Sequence, residues 1–130
     1  MNKVIFQRVA FIIFAVCALF NPMLDMIPWF WYTMLAGSLF YIASGWYFPL
    51  ISDDSHWLAN EFVGYIYSTV FIANMLESRG MPMGTTMVWY GDVLALALMI
   101  YMIVRRKTVR KDMLVQSIVL WMISPIPLWV

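Results

Sequence analysis

Charged residues are scarce in this sequence, and it holds one cysteine and one histidine among 130 residues. Charged residues make up 12% of the chain, whereas about 25% is usual in a soluble globular domain. A single cysteine, Cys17, excludes a disulfide framework within the chain. The net charge of +1 gives no indication of nucleic acid as a partner.

Enzyme signatures are missing as well. The sequence contains no HExxH, GxSxG or CxxC motif and no glycine-rich phosphate loop. Each of these motifs places a nucleophile, a metal ligand or a phosphate cradle at a fixed spacing, and the chain offers no substitute for them. We therefore predict a protein that is not an enzyme and that has no cofactor.

Apolar residues, in contrast, make up 64% of the chain. They form five segments separated by short polar or proline-containing breaks, at residues 4–20, 29–51, 57–76, 85–104 and 113–130. Each segment is close to the roughly 20 residues that cross a hydrocarbon core of about 30 Å as a helix. The sequence predicts an all-α, polytopic transmembrane helix bundle of five spans in a single domain, residues 1–130. The third span is the weakest prediction because it carries Asn60, Glu61 and Asn74.

The positions of the basic residues predict the orientation. The stretch 105–111 holds five lysines and arginines, and such stretches face the cytoplasm. Counting back through alternating spans places the amino terminus, with Lys3 and Arg8, on the same side. We predict a multi-pass protein of the bacterial inner (cytoplasmic) membrane, with its amino terminus in the cytoplasm and its carboxyl terminus in the periplasm or outside.

Asp92 is the most informative polar residue because it lies about 10 Å inside the fourth predicted span, at 1.5 Å per residue. A carboxylate at such depth is costly and usually faces a bundle interior, a partner or water. Three roles are open for it: a structural hydrogen bond to Asn74 or Ser124, a contact with a cation of another protein, or the binding of a proton or cation.

Arg8 and Glu61 form a second candidate pair, because each lies about 6 Å in from the cytoplasmic end of its span. The alternative is that Arg8 extends to the membrane surface and Glu61 reaches the headgroups independently. Glu61, Tyr65 and Ser68 share one helix face, which we expect to point inward or toward a partner.

Gly37, Tyr41 and Gly45 repeat every four residues in the second span, with the small residues Ser38 and Ser44 beside them. This spacing lets helix backbones approach closely. The pattern predicts a tight crossing, either within the chain or with another subunit.

Methionine is abundant, with twelve residues. Met81, Met83 and Met87 are weak candidates for Cu(I) because thioethers are soft ligands. No histidine or cysteine lies near them in the sequence, and methionine also fills apolar space, so we predict no metal site.

Two functions are compatible with these features. The first is a small non-enzymatic membrane protein that binds another membrane protein, as an accessory subunit, a regulator, or an immunity or exclusion factor. The alternative is a small oligomeric transporter or lipid-carrier translocase in which Asp92 binds a proton, a cation or a head group. The expected partners are the lipid bilayer and either a membrane protein or further copies of the chain, and not nucleic acid.

Overall fold

The computed structural model describes residues 3–21, 28–44, 57–78, 80, 82–107, 109 and 111–129. These residues form helices and turns without a strand, which confirms the predicted all-α class. The helices are α1 (Lys3–Phe20), α2 (Pro28–Ser44), α3 (Trp57–Ser78), α4 (Gly84–Val104), α5 (Lys111–Ile123) and the short α6 (Ile126–Trp129).

The predicted fifth segment, 113–130, is divided in the structure. Helix α5 ends at Ile123, a turn covers Ser124 and Pro125, and α6 follows. Pro125 and Pro127 have no backbone N–H to continue the helical hydrogen bonds, and this explains the interruption. The second predicted segment, 29–51, forms α2 as far as Ser44, and its remainder lies outside the described residues.

Helices α1, α3 and α5 run in the same direction. Near their amino-terminal ends Arg8 of α1 meets Asp112 of α5. At the opposite end Asn21, directly after α1, meets Asn74 near the end of α3. The starts of α1 and α5 therefore lie together, as do the ends of α1 and α3.

Helix α2 runs antiparallel to these three. Phe20 at the end of α1 lies beside Phe30 at the start of α2, with 6.4 Å between ring centroids. Near the other end Gln7 of α1 reaches Tyr41 of α2. The chain thus alternates direction over its first two helices.

Helix α4 is antiparallel to α3 and α5. An added Cβ at Gly91 in α4 would lie 3.5 Å from the Cα of Val70 in α3, which marks a close backbone crossing. Asp92, about two turns into α4, meets Ser124 just beyond α5. The five longer helices form an up-down bundle.

Aromatic rings fill the centre of this bundle. The ring centroids of Tyr41 and Tyr67 are 4.8 Å apart, and those of Phe11 and Tyr67 are 5.5 Å apart. Phe14 and Phe71 complete the group at 5.9 Å. The cluster draws on α1, α2 and α3, so α3 lies between the other helices with extensive contacts to α2 and α4.

Helix α4, with 21 residues and a mean hydropathy of 1.9, is the one helix in the described part of the chain that is long and apolar enough to cross a membrane. The apolar part of α1, Ile5–Phe20, is shorter. The contacts described above show a helix bundle. Because one helix passes the test of length and hydropathy, the five-span membrane topology stays a prediction.

Candidate functional site

Polar side chains are concentrated inside the bundle. Within the described helices and turns, ten polar residues are buried: Gln7, Asn21, Ser38, Asn60, Ser68, Thr69, Asn74, Gln116, Ser117 and Ser124. Large apolar residues, in contrast, cover much of the exterior, including most of the outward positions of α1 and α4. Most of the buried residues are nevertheless apolar, so the buried polar ones are the exception that calls for an explanation.

Two buried glutamines, Gln7 and Gln116, connect four helices of the bundle. The Gln7 amide in α1 donates through Nε2 to Oε1 of Gln116 in α5 at 2.9 Å, and Gln116 Nε2 donates back to Gln7 Oε1 at 3.0 Å. Gln7 Nε2 also reaches the hydroxyl of Tyr41, and the Tyr67 hydroxyl donates to Gln116 Oε1, each at 3.3 Å. All four side chains are buried. The network joins α1, α2, α3 and α5 through hydrogen bonds between buried side chains.

Sequence reasoning missed this network. The two glutamines are 109 positions apart, and neither carries a charge that would single it out. The available signal was their occurrence in otherwise apolar helices, where an uncharged amide needs a partner on a neighbouring helix.

One turn along from Gln116, Arg8 and Asp112 form an ion pair. Arg8 Nε donates to Asp112 Oδ2 at 3.1 Å. The Arg8 side chain is 50% exposed and that of Asp112 is 12% exposed. The expected partner, Glu61, is replaced by Asp112 because α1 and α5 are parallel neighbours whose amino-terminal ends lie together.

An open apolar groove lies between α1 and α5 beside this ion pair. Its volume is about 490 Å³. Arg8, Asp112 and Gln116 line one end of it. Its walls are formed by apolar residues of the two helices: Phe11, Ile12, Ala15, Val16, Val115 and Val119. We call it the α1–α5 groove.

Asp92 makes one of its two predicted contacts. Its Oδ1 accepts a hydrogen bond from Ser124 Oγ at 2.7 Å. Asn74 is elsewhere: it accepts from Asn21 Nδ2 at 2.8 Å and donates to the Ala18 carbonyl at 2.9 Å. Asp92 thus ties α4 to the turn after α5, while Asn74 ties α3 to the end of α1.

Glu61 and Tyr65 lie toward the outside of α3. The Tyr65 hydroxyl is 3.2 Å from that of Tyr90 in α4, and both side chains are exposed. Oε1 of Glu61 is itself buried but has no hydrogen-bond partner among the described residues. Ser68 departs from the predicted stripe, because it turns inward to Ser38 of α2 at 2.8 Å. We call Glu61, Tyr65 and Tyr90 the outer polar patch.

Gly37 mediates a contact within the chain. A Cβ added at this position would lie 3.0 Å from Cδ1 of Phe14 in α1. The glycine therefore lets the Phe14 ring pack directly on the α2 backbone. Gly45, its predicted companion, lies outside the described residues.

Two of the three methionine candidates for Cu(I) lie within the described residues. Met83 is exposed in the turn before α4, Met87 is half-buried one turn later, and Met81 lies outside the described residues. The residues that the structure describes hold no group of three or more histidine, cysteine, aspartate or glutamate side chains placed to bind a metal.

Comparison with known proteins gives no relative. No protein-family model, no curated protein and no solved structure matches this chain.

Proposed function

We propose that this chain is a five-span membrane protein that acts by binding another membrane protein through the outer polar patch, Glu61, Tyr65 and Tyr90. The observation that carries this proposal is the location of the patch. It lies on the outside of a bundle in which Gln7 pairs with Gln116, and Asp92 with Ser124, between the helices, whereas Oε1 of Glu61 has no hydrogen-bond partner among the described residues.

Membrane location is supported by the many large apolar residues on the outside of the bundle. A core helix of a soluble protein can be as apolar as α4, but it is mostly buried. Only 28% of the apolar window of α4 is buried, and its exposed residues include Val93 and Ile100. Water would make such a surface costly, whereas lipid accepts it.

The predicted orientation is supported by the direction of the helices. Arg8 near the start of α1 and residues 105–107 after α4 lie at the same end of the up-down bundle. Basic residues at one end are typical of the cytoplasmic side of a multi-pass protein. In this orientation the outer polar patch begins near the cytoplasmic face, at Glu61, and extends toward the middle of the bilayer.

The chemistry of the patch favours a protein partner with a basic residue. Lipid tails cannot pair with a carboxylate or a hydroxyl, so polar groups on a lipid-facing helix usually meet another helix. Glu61 is half-buried beside a shallow pocket formed with Leu58, Phe62 and Tyr65, and its Oε1 is buried without a hydrogen-bond partner among the described residues. A lysine or arginine of the partner would satisfy Glu61, and the exposed Phe62 and Tyr65 rings would supply contact area.

Transport through the bundle has less support from the geometry. Asp92, the residue on which a transport mechanism would depend, is already bonded to Ser124. Three cavities in the described part of the chain lie along the sides of the bundle, between or beside helices, and a fourth lies at the end of α4. An accessory subunit, a regulator or an immunity factor fits this arrangement better.

Site-specific photo-crosslinking in native membranes tests the proposal. A photoreactive phenylalanine analogue is placed at Phe62, beside the patch, and in a separate variant at Ile13, an equally lipid-facing position on α1. We expect one membrane protein to crosslink at Phe62 and not at Ile13. In the Phe62 background, Glu61→Arg should abolish the crosslink, because it places a cation against the partner's cation.

Two outcomes contradict the proposal. Crosslinking of the chain to itself at Phe62 would identify the patch as an interface between copies. Equal labelling at both positions, insensitive to Glu61→Arg, would mean that the patch faces lipid. Alkaline carbonate extraction checks the membrane assignment separately, and release of the protein into the supernatant would overturn it.

A further inference from the structure

The α1–α5 groove is a second surface feature, on different helices from the outer polar patch. It opens to the side of the bundle, so in a membrane it faces the lipid tails. Its volume of about 490 Å³ is within the range of small-molecule sites, about 300 to 1,000 Å³. An elongated apolar channel of this kind fits a flexible hydrocarbon chain.

Arg8 lies at the polar end of the α1–α5 groove, and one of its three side-chain nitrogens is hydrogen-bonded. Its Nε is engaged by Asp112 at 3.1 Å. Nη1 and Nη2 have no hydrogen-bond partner among the described residues, and half of the side chain is exposed. A guanidinium in this state presents two terminal nitrogens, the fork that binds two oxygens of a phosphate.

The surrounding charge selects for a negative ligand. Lys111 is exposed next to Asp112 at the start of α5, so it adds a positive charge to that of Arg8. Asp112 offsets one of these charges, so the end of the bundle around Arg8 is positive. Basic residues at a membrane surface favour anionic lipids over zwitterionic ones.

We propose that the α1–α5 groove binds an anionic phospholipid, with one acyl chain between the two helices and the phosphate on Nη1 and Nη2 of Arg8. The inference depends on the membrane location given above but not on the partner proposed for the outer polar patch. The acyl chain would cover the apolar walls, and Arg8 would hold the headgroup at the cytoplasmic boundary.

Lipid retention measured by native mass spectrometry tests this site. The delipidated protein in mild detergent, at 0.15 M salt, is titrated with phosphatidylglycerol or with phosphatidylcholine of the same acyl chains. We expect one phosphatidylglycerol per chain, bound about tenfold more tightly than phosphatidylcholine. Both lipids carry the phosphate that Arg8 contacts, but the ammonium of phosphatidylcholine lies beside that phosphate and is repelled by the Arg8 guanidinium. Arg8→Gln should bring the two lipids to parity. Arg106→Gln removes the same charge from the same end but outside the groove, and it should leave the preference within about twofold because exposed charges are screened.

A second pair of variants keeps the proposal testable if Arg8→Gln does not fold. Ala15→Phe fills the groove without touching a charge, and Ala36→Phe adds the same bulk at an exposed site on α2. We expect Ala15→Phe to lose the bound phosphatidylglycerol and Ala36→Phe to retain it.

Three results would overturn the proposal: equal retention of both lipids by the unaltered protein, the same loss from Arg106→Gln as from Arg8→Gln, or full retention by Ala15→Phe. None of these variants alters the outer polar patch. Photo-crosslinking at Phe62 in the Ala15→Phe background therefore reports on the partner proposal independently.

Discussion

The buried pair of Gln7 and Gln116 allows a quantitative test of the fold. Replacing Gln116 with leucine removes three hydrogen bonds, two with Gln7 and one with Tyr67. Hydrogen bonds between membrane helices average about 0.6 kcal/mol each, so we expect Gln116→Leu to lower the free energy of unfolding by about 2 kcal/mol. Gln7→Leu should cost a similar amount, because it removes the same two bonds and the one to Tyr41.

The double variant measures the interaction between Gln7 and Gln116 separately from the contacts that each makes with other residues. Because Gln7 and Gln116 share two bonds, the two single substitutions count those bonds twice. Replacing both amides also removes the buried groups that each single variant leaves unpaired. We therefore expect a coupling energy of about 1 to 2 kcal/mol between the two sites.

The assay is reversible unfolding in mixed detergent and dodecyl sulfate micelles, followed by circular dichroism. Thr86→Val, at an exposed position on α4, is the control and should change stability by less than about 0.5 kcal/mol. A coupling energy below about 0.3 kcal/mol would refute the pairing, since independent sites add within that margin.

Three further substitutions test local geometry by the same unfolding measurement. Gly37→Leu should lower stability by about 1 to 3 kcal/mol, because its Cβ would lie 3.0 Å from Phe14 and overpacking is costly; unchanged stability would exclude the close crossing. Asp92→Asn keeps an oxygen that accepts from Ser124, so stability should hold within about 0.5 kcal/mol, and a larger loss would assign a role to the charge. Met83→Gly should raise stability by about 0.5 to 1 kcal/mol because Met83 has a φ of 72°, and a loss would show that its side chain contributes more than the strain.

Helix positions and contacts between sequential helices were predictable from the sequence. Helices α3 and α4 begin and end within two residues of the predicted segments 57–76 and 85–104. The hydrogen bond between Asp92 and Ser124 was one of two alternatives that depth allowed, because sequential antiparallel helices bring residues of equal depth together. The lengths of the apolar segments and the alternating direction of the helices were sufficient to predict the bounds of α3 and α4 and to narrow the contact of Asp92 to two residues.

Contacts between distant helices were not predictable in the same way. Depth placed Arg8 level with Glu61, but it is equally level with Asp112. Choosing between them requires knowing that α1 packs against α5 at this level, and no single-helix pattern contains that information. The pairing of Gln7 with Gln116 could not be predicted for the same reason, because the sequence does not show which neighbouring helix each amide faces.

The internal pairing also explains why the outer polar patch is the expected point of recognition. In lipid, apolar contact does not distinguish a helix from the surrounding tails, so specificity comes from packing and from polar groups that need a partner. Arg8 and Asp92 find their partners within the bundle. Glu61 keeps a carboxylate oxygen that no described residue satisfies. A neighbouring membrane protein that supplies a cation there would gain a contact that lipid cannot replace, and binding energy should concentrate at that position.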